Sequence, residues 1–135
     1  MILQIFLFAC IGVAMEVVFT ALCDYPVTRS KRLMGVSYIW MLPIYGMTPL
    51  FLSVLYPRME GILLPFRIVV YTVLLLLMEY TTGWILRKAT GDCPWEPGYR
   101  GKRWAIDGLV RLDYAPAWAL ACLIFERLYL ALCWL

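Results

Sequence analysis

The chain has 135 residues and a formal net charge of +3; 64% of its residues are hydrophobic, 16% are charged, and mean hydropathy is +0.79. A soluble domain averages roughly 45–50% apolar and about 25% charged residues, so this chain carries more apolar surface than one small core can hide and reads as a membrane protein. Histidine is absent, which excludes bis-His haem, His-ligated zinc or iron, and imidazole acid–base chemistry; no cofactor and no metal site are expected.

A helix needs roughly 20 mostly apolar residues to cross about 30 Å of hydrocarbon. Four stretches qualify: Ile2 to Cys23, Val36 to Tyr56, Ile62 to Leu86 and Tyr114 to Leu135. No alternating ten-residue pattern suggests a barrel, and helices satisfy their own backbone where water is absent. The expected fold is therefore all-α: one polytopic integral-membrane domain over residues 1–135, with four transmembrane helices and a long cytoplasmic loop between helices 3 and 4. The first stretch has no basic leader and no small-residue cleavage pattern, so it is expected to remain as a span rather than to leave as a signal peptide.

The connections differ. Asp24 to Gly35 is basic, Tyr56 to Gly61 reads as a tight turn containing Pro57, and Arg87 to Asp113 is long, polar and rich in Gly and Pro. Within the last, Thr90 to Gly98 reads as loop, and Lys102 to Leu112 as a short amphipathic interfacial helix. Arg29, Lys31, Arg32, Arg87, Lys88, Arg100, Lys102, Arg103 and Arg111 fall in the first and third connections, against Arg58 alone in the second. The positive-inside bias makes both basic connections cytoplasmic and puts both termini outside. These cations suit anionic lipid headgroups or a cytoplasmic partner, not nucleic acid. The five cysteines read as small buried hydrophobes, with a Cys10–Cys133 bridge as the alternative.

Charged residues inside the spans are the informative feature. Glu16, Glu79 and Glu126 lie within spans one, three and four. A carboxylate at bilayer depth costs on the order of 2.5–3.5 kcal/mol and usually marks a site or an ion pair. At 1.5 Å per residue, Glu16, Glu79 and Tyr45 lie roughly 10–13 Å from the cytoplasmic ends of their spans, so they could form one layer. Gly12, Glu16, Thr20 and Cys23 share one face of span one, and Thr72, Glu79, Thr82 and Gly83 one side of span three. Such small and polar stripes favour close helix approach. Span two adds Pro43, Tyr45, Gly46 and Pro49, where proline frees carbonyls and can kink or break the helix. Glu16, Tyr45, Glu79, Thr20, Thr82, Gly46 and Gly83 are thus candidates for substrate binding or proton coupling. Glu126 has Arg67 as its available cation, a structural pair. Trp95, Tyr99, Trp104 and Tyr114 read most simply as interfacial belt residues, but Cys93, Trp95, Asp113 and Tyr114 are also placed to form a lid.

Five blocks in fixed order resemble one family: Gly12 to Ala21 around Glu16, Trp40 to Gly46, Glu79 to Arg87, Cys93-Pro94-Trp95, and Gly108 to Tyr114. It is the transmembrane protein 229 family, whose bacterial relatives are labelled ABC-transporter type IV or CmpB-like permeases. The resemblance covers nearly the whole chain, and the matched positions include Glu16, Tyr45, Gly46, Glu79, Gly83, Trp95, Trp118 and Glu126. Relatives often follow the Pro-Trp block with Asp-Tyr-Ser and an Asn; here Glu96-Pro97-Gly98 follows, and the chain has no Asn. The resemblance implies a multi-pass, permease-like protein. No Walker A loop is present, so any ATP-binding subunit would be a separate chain.

The residues and the resemblance together predict a small protein of the bacterial inner membrane that binds or transports an amphipathic, lipid-like substrate or a coupled cation. Membrane lipids are the expected partners, and a bundle this small is expected to form a homo-oligomer. The alternatives are a membrane-embedded enzyme using paired carboxylates as acid and base on a lipid or isoprenoid, and an accessory membrane subunit.

Overall fold

The computed structural model describes residues 1–133; Trp134 and Leu135, the end of the fourth expected span, lie outside the described residues. The described chain is mostly helical: α1 (Ile2–Thr28), α2 (Met41–Gly46), α3 (Thr48–Met59), α4 (Leu64–Thr90), a single turn α5 (Glu96–Tyr99), a hairpin of β1 (Ala105–Ile106) and β2 (Val110–Arg111), and α6 (Ala115–Leu132) after a 3-10 turn at Leu112–Tyr114. Three helical stretches are long and apolar enough to cross a membrane: Ile2–Thr28, Leu64–Thr90 and Leu112–Leu132. In each, only 22% of the apolar stretch is buried within the protein. A helix that is apolar all round and so little covered suits a lipid surround.

The second expected span is not one helix. Residues 33–40 are non-helical, and the segment then divides into α2 and α3 at Met47. Pro49 is responsible: it offers no N–H to the Tyr45 carbonyl, and its fixed φ suits the first turn of a new helix. Few carbonyls are freed, however, since Met47 N–H reaches the Pro43 and Ile44 carbonyls and Leu42 N–H the Ile39 carbonyl. The Pro57 turn is also displaced. α3 runs through Pro57 to Met59, and the chain turns at Glu60–Leu63 instead, because one proline near a C-terminus removes a single backbone bond.

α1 and α4 are longer than their apolar stretches. α1 continues past Pro26 and stops at Arg29, which takes the left-handed conformation (φ 53°) and donates to the Tyr25 carbonyl. α4 begins with Pro65 in its first turn and stops at Gly91 (φ 84°), whose N–H caps the Arg87 carbonyl. Glu16 and Glu79 lie about 18 Å and about 17 Å from the C-terminal ends of their own helices.

The expected interfacial helix over Lys102–Leu112 is instead a hairpin, with Ala105 opposite Arg111 and Ile106 opposite Val110. Asp107 (φ 54°) and Gly108 (φ 66°) both adopt the left-handed conformation, and Leu109 N–H donates to the Ile106 carbonyl at 3.0 Å. An Asp-Gly pair accepts this turn at little cost and would break a helix.

The residues fall into two compact units, Met1–Arg58 with the described residues from Arg127 onward, and Met59–Glu126. In the first, Phe8, Ala9, Ala21, Met41, Tyr45 and Leu52 are buried, and Gln4 donates to the Leu132 carbonyl at 2.8 Å. In the second, Tyr71, Leu86, Trp95, Leu109, Val110 and Phe125 are buried together with Arg67, Glu79, Glu96 and Glu126.

Candidate functional site

In the first unit, the half-buried Glu16 carboxylate accepts a hydrogen bond from Ser37 Oγ at 2.8 Å, and Tyr45 also hydrogen-bonds it. Two local features bring Ser37 there. Thr20 Oγ1 accepts the Val36 N–H at 2.8 Å, and its one proton lies within reach of the Val36 carbonyl at 3.0 Å and the Val17 carbonyl at 3.1 Å, so this side chain ties the non-helical Val36 to α1. Gly35 lies so close to the Val17 carbonyl that no Cβ would fit. Tyr45 is positioned by Gly12, one turn before Glu16, where a Cβ would collide with the Tyr45 ring. Gly46 extends that contact against Ile5 and Ala9. Among the sequence candidates, then, Glu16 and Tyr45 share a site, while Thr20 and Gly46 build the wall that holds them.

In the second unit, Glu79 is buried in the middle of α4 and accepts a hydrogen bond from the Tyr99 hydroxyl at 2.8 Å. Tyr99 comes from α5, in the segment expected to be a lid. Gly83, one turn beyond Glu79, makes room for that segment: a Cβ there would stand 3.0 Å from Trp95 and Leu109 and 3.3 Å from Cys93 Sγ. Trp95 Nε1 donates to the Leu109 carbonyl at 2.9 Å, so the Pro-Trp loop and the hairpin are joined over α4. Burial pushes the Cys93 thiol above its ordinary range, making it a packing group rather than a nucleophile. Trp95 is buried inside the protein, and Tyr99 is half-buried with its hydroxyl on Glu79. Thr82 returns its hydroxyl to the Met78 and Glu79 carbonyls of its own helix, as helical threonines do, and takes no part in the site by hydrogen bonding.

Arg111 completes this cluster. Its guanidinium lies 4.0 Å from the Tyr114 ring centre and 5.8 Å from that of Tyr99, and the two rings meet edge to face at 5.8 Å. Arg111 also donates to the Tyr114 hydroxyl at 2.7 Å and to both Asp113 oxygens, at 3.1 and 2.5 Å. Glu79 therefore connects through one neutral phenol to a cation seated on two aromatic faces. Asp113 and Tyr114 are lid candidates from the sequence, whereas the place of Tyr99 beside Glu79 is set by the turn of α5 toward α4.

Around Arg87 runs a second polar network. Arg87 Nε donates to Glu96 Oε2 at 3.1 Å, its Nη1 to Asp107 Oδ2 at 3.0 Å and its Nη2 to the Asp107 carbonyl at 2.7 Å; Arg100 Nη2 also binds Glu96. Hydrogen bonds from Arg100 and then Arg87, outweighing desolvation, hold the Glu96 carboxyl below its ordinary value of 4.5. A depressed carboxyl stabilises the fold above its unfolded value and ceases to do so as pH falls through the folded one. The melting temperature in detergent is therefore expected to fall on acidification below about pH 4.5, and to fall less in Glu96→Gln. Parallel melting curves for the two proteins would show that the clamp carries no acid sensitivity.

Arg67 and Glu126 are joined by two hydrogen bonds, Nε to Oε2 at 2.6 Å and Nη2 to Oε1 at 2.7 Å. Cys10 and Cys133 are free, exposed thiols. Glu16 and Glu79 belong to different units, and each has its own hydroxyl donor.

A family model described as "Putative ABC-transporter type IV" matches residues 3–133. The chain belongs to that family. No solved structure matches it. Family membership and the three apolar helices together make this an integral membrane protein of the transporter type. The Glu16, Tyr45, Glu79 and Trp95 positions, and the Arg67–Glu126 pair, all fall within the matched residues of this family member.

Proposed function

We propose that the protein is a permease-like component of the bacterial inner membrane that binds or carries an amphipathic, lipid-like substrate or a coupled cation, with Glu79 as the group whose charge changes. The observation that carries this reading is the buried Glu79 carboxylate in the middle of an apolar 27-residue helix, held by Tyr99 from the loop that covers that helix. A hydrogen bond to a carboxylate is roughly twice as strong as one between neutral groups. Uptake of a proton or cation by Glu79 weakens the tie between loop and helix, linking occupancy to loop position. The Glu16–Ser37–Tyr45 cluster is a second intramembrane polar site of the same construction.

In this reading α2 and α3 together make the fourth crossing: 19 residues from Met41 to Met59 span about 28 Å, close to the hydrocarbon thickness. Both basic connections then face the cytoplasm, with the termini outside. Family membership supports a separate ATP-binding chain as partner, and so few helices suit a homo-oligomer.

The test is flux. Proteoliposomes holding a trapped pH dye and a fluorescent short-chain phospholipid report proton and lipid movement together. Glu79→Gln is expected to lower the rate of one of them at least tenfold, and Tyr99→Phe to shift its pH profile. Rates equal to wild type in both assays for Glu79→Gln would overturn the proposal.

A further inference from the structure

Beyond the end of α4, the second unit contains a polar cavity of about 410 Å³ whose lining includes Arg87, Asp92, Glu96, Arg100, Lys102 and Asp107. That volume lies within the range of small-molecule sites. Its charges are balanced, three cations against three carboxylates, but they are not mutually spent. Glu96, on the floor, is buried and engaged by both arginines. Arg87 is committed to Glu96 and Asp107. Arg100 commits one nitrogen to Glu96 and is otherwise largely exposed, its side chain 77% accessible. Among the described residues, neither the Lys102 ammonium nor the Asp92 carboxylate makes a hydrogen bond or ion pair, and Asp107 uses one of its two carboxylate oxygens.

The mouth of this cavity therefore offers available cationic donors, on Arg100 and Lys102, and available carboxylate acceptors, on Asp92 and Asp107. Guanidinium and ammonium donors suit phosphate oxygens, and carboxylates suit a protonated amine that still carries N–H donors. We infer that this cavity binds a zwitterionic group made of a phosphate ester and a primary ammonium, the phosphate toward Arg100 and Lys102 and the ammonium toward Asp92 and Asp107. The group is the headgroup of an aminophospholipid or a free phosphoethanolamine. Glu96 positions both arginines. The site stands whether or not Glu79 couples transport, because no residue is shared between them.

Native mass spectrometry of the detergent-purified protein with equal amounts of phosphatidylethanolamine, phosphatidylglycerol and phosphatidylcholine of matched acyl chains tests this. Phosphatidylethanolamine is expected to be retained at least tenfold over the other two, one of which lacks the amine while the other has its amine fully methylated. Lys102→Gln and Asp92→Asn, both exposed positions with no bond to lose, are each expected to lower that preference at least fivefold. Arg103→Gln, outside the lining, is expected to leave it intact. Retention of phosphoethanolamine itself, lost in the same two variants and without a lipid preference, assigns the site to the soluble molecule. Equal retention of all three lipids together with no phosphoethanolamine binding, or a preference unchanged in both variants, would overturn the inference. Because the readout is retention and not flux, its failure leaves the transport proposal untouched.

Discussion

Glu126→Ala is expected to destabilise the protein by about 3–5 kcal/mol and to lower its melting temperature in detergent sharply, the largest effect of any single substitution considered. Glu126 is fully buried and Arg67 is 8% exposed; the two meet through a two-pronged contact at 2.6 and 2.7 Å. The remaining Arg67 nitrogen, Nη1, reaches the carbonyls of Met59, Glu60 and Ile62 at 3.4, 3.3 and 3.2 Å. These belong to the end of α3 and the turn into α4, where helical carbonyls lack intrahelical partners. One arginine thus neutralises a carboxylate of α6 and closes the turn before its own helix. Removing one member of a buried pair costs about 3–5 kcal/mol, a large share of the roughly 5–15 kcal/mol by which domains are stable. The double variant Arg67→Leu/Glu126→Leu is expected to melt higher than either single leucine variant, since no isolated charge remains. It should still melt below wild type, because the turn carbonyls lose their donor. A detergent melting temperature for Glu126→Ala equal to that of wild type would refute this account.

The second large effect is expected at a position without a side chain. Gly12→Ala places a methyl group on the Tyr45 ring, with Cβ and Cδ1 both 2.6 Å away. Those atoms lie at the root of the side chain, so α2 itself must retreat from α1. Overpacking of this kind costs about 1–3 kcal/mol, and Gly12→Val should cost more. The same displacement draws Tyr45 from Glu16, so a stability defect and a defect at the carboxylate should appear together. Gly12→Ala/Tyr45→Ala is expected to recover stability relative to Gly12→Ala alone, as coupled neighbours do. A Gly12→Ala protein that melts like wild type would show that the contact is loose.

Much of this molecule could be read before its fold was known, because membrane depth makes composition informative. Long apolar runs must be helical where the backbone has no water, so α1, α4 and α6 follow from hydropathy alone. In the same way, the cost of a buried carboxylate singled out Glu16, Glu79 and Glu126 without reference to any neighbour. Local rules also carry two signals against the expected helices. Asp107-Gly108 is a hairpin pair within Lys102–Leu112, and Pro49 lies one turn beyond Tyr45, where it ends one helix and begins another.

What no linear pattern contained was the pairing. Ser37 reaches Glu16 because Thr20 ties Val36 to α1, and Tyr99 reaches Glu79 because Gly83 admits the Trp95 loop beside α4. Arg111 joins the second cluster through the faces of Tyr99 and Tyr114, residues 15 positions apart in sequence. Periodicity and hydropathy report the medium around each residue, which is a property of the residue and its near neighbours. Which hydroxyl meets which carboxylate depends on a few close approaches at glycine and on turns of one or two residues, and those exist only when the whole chain is packed.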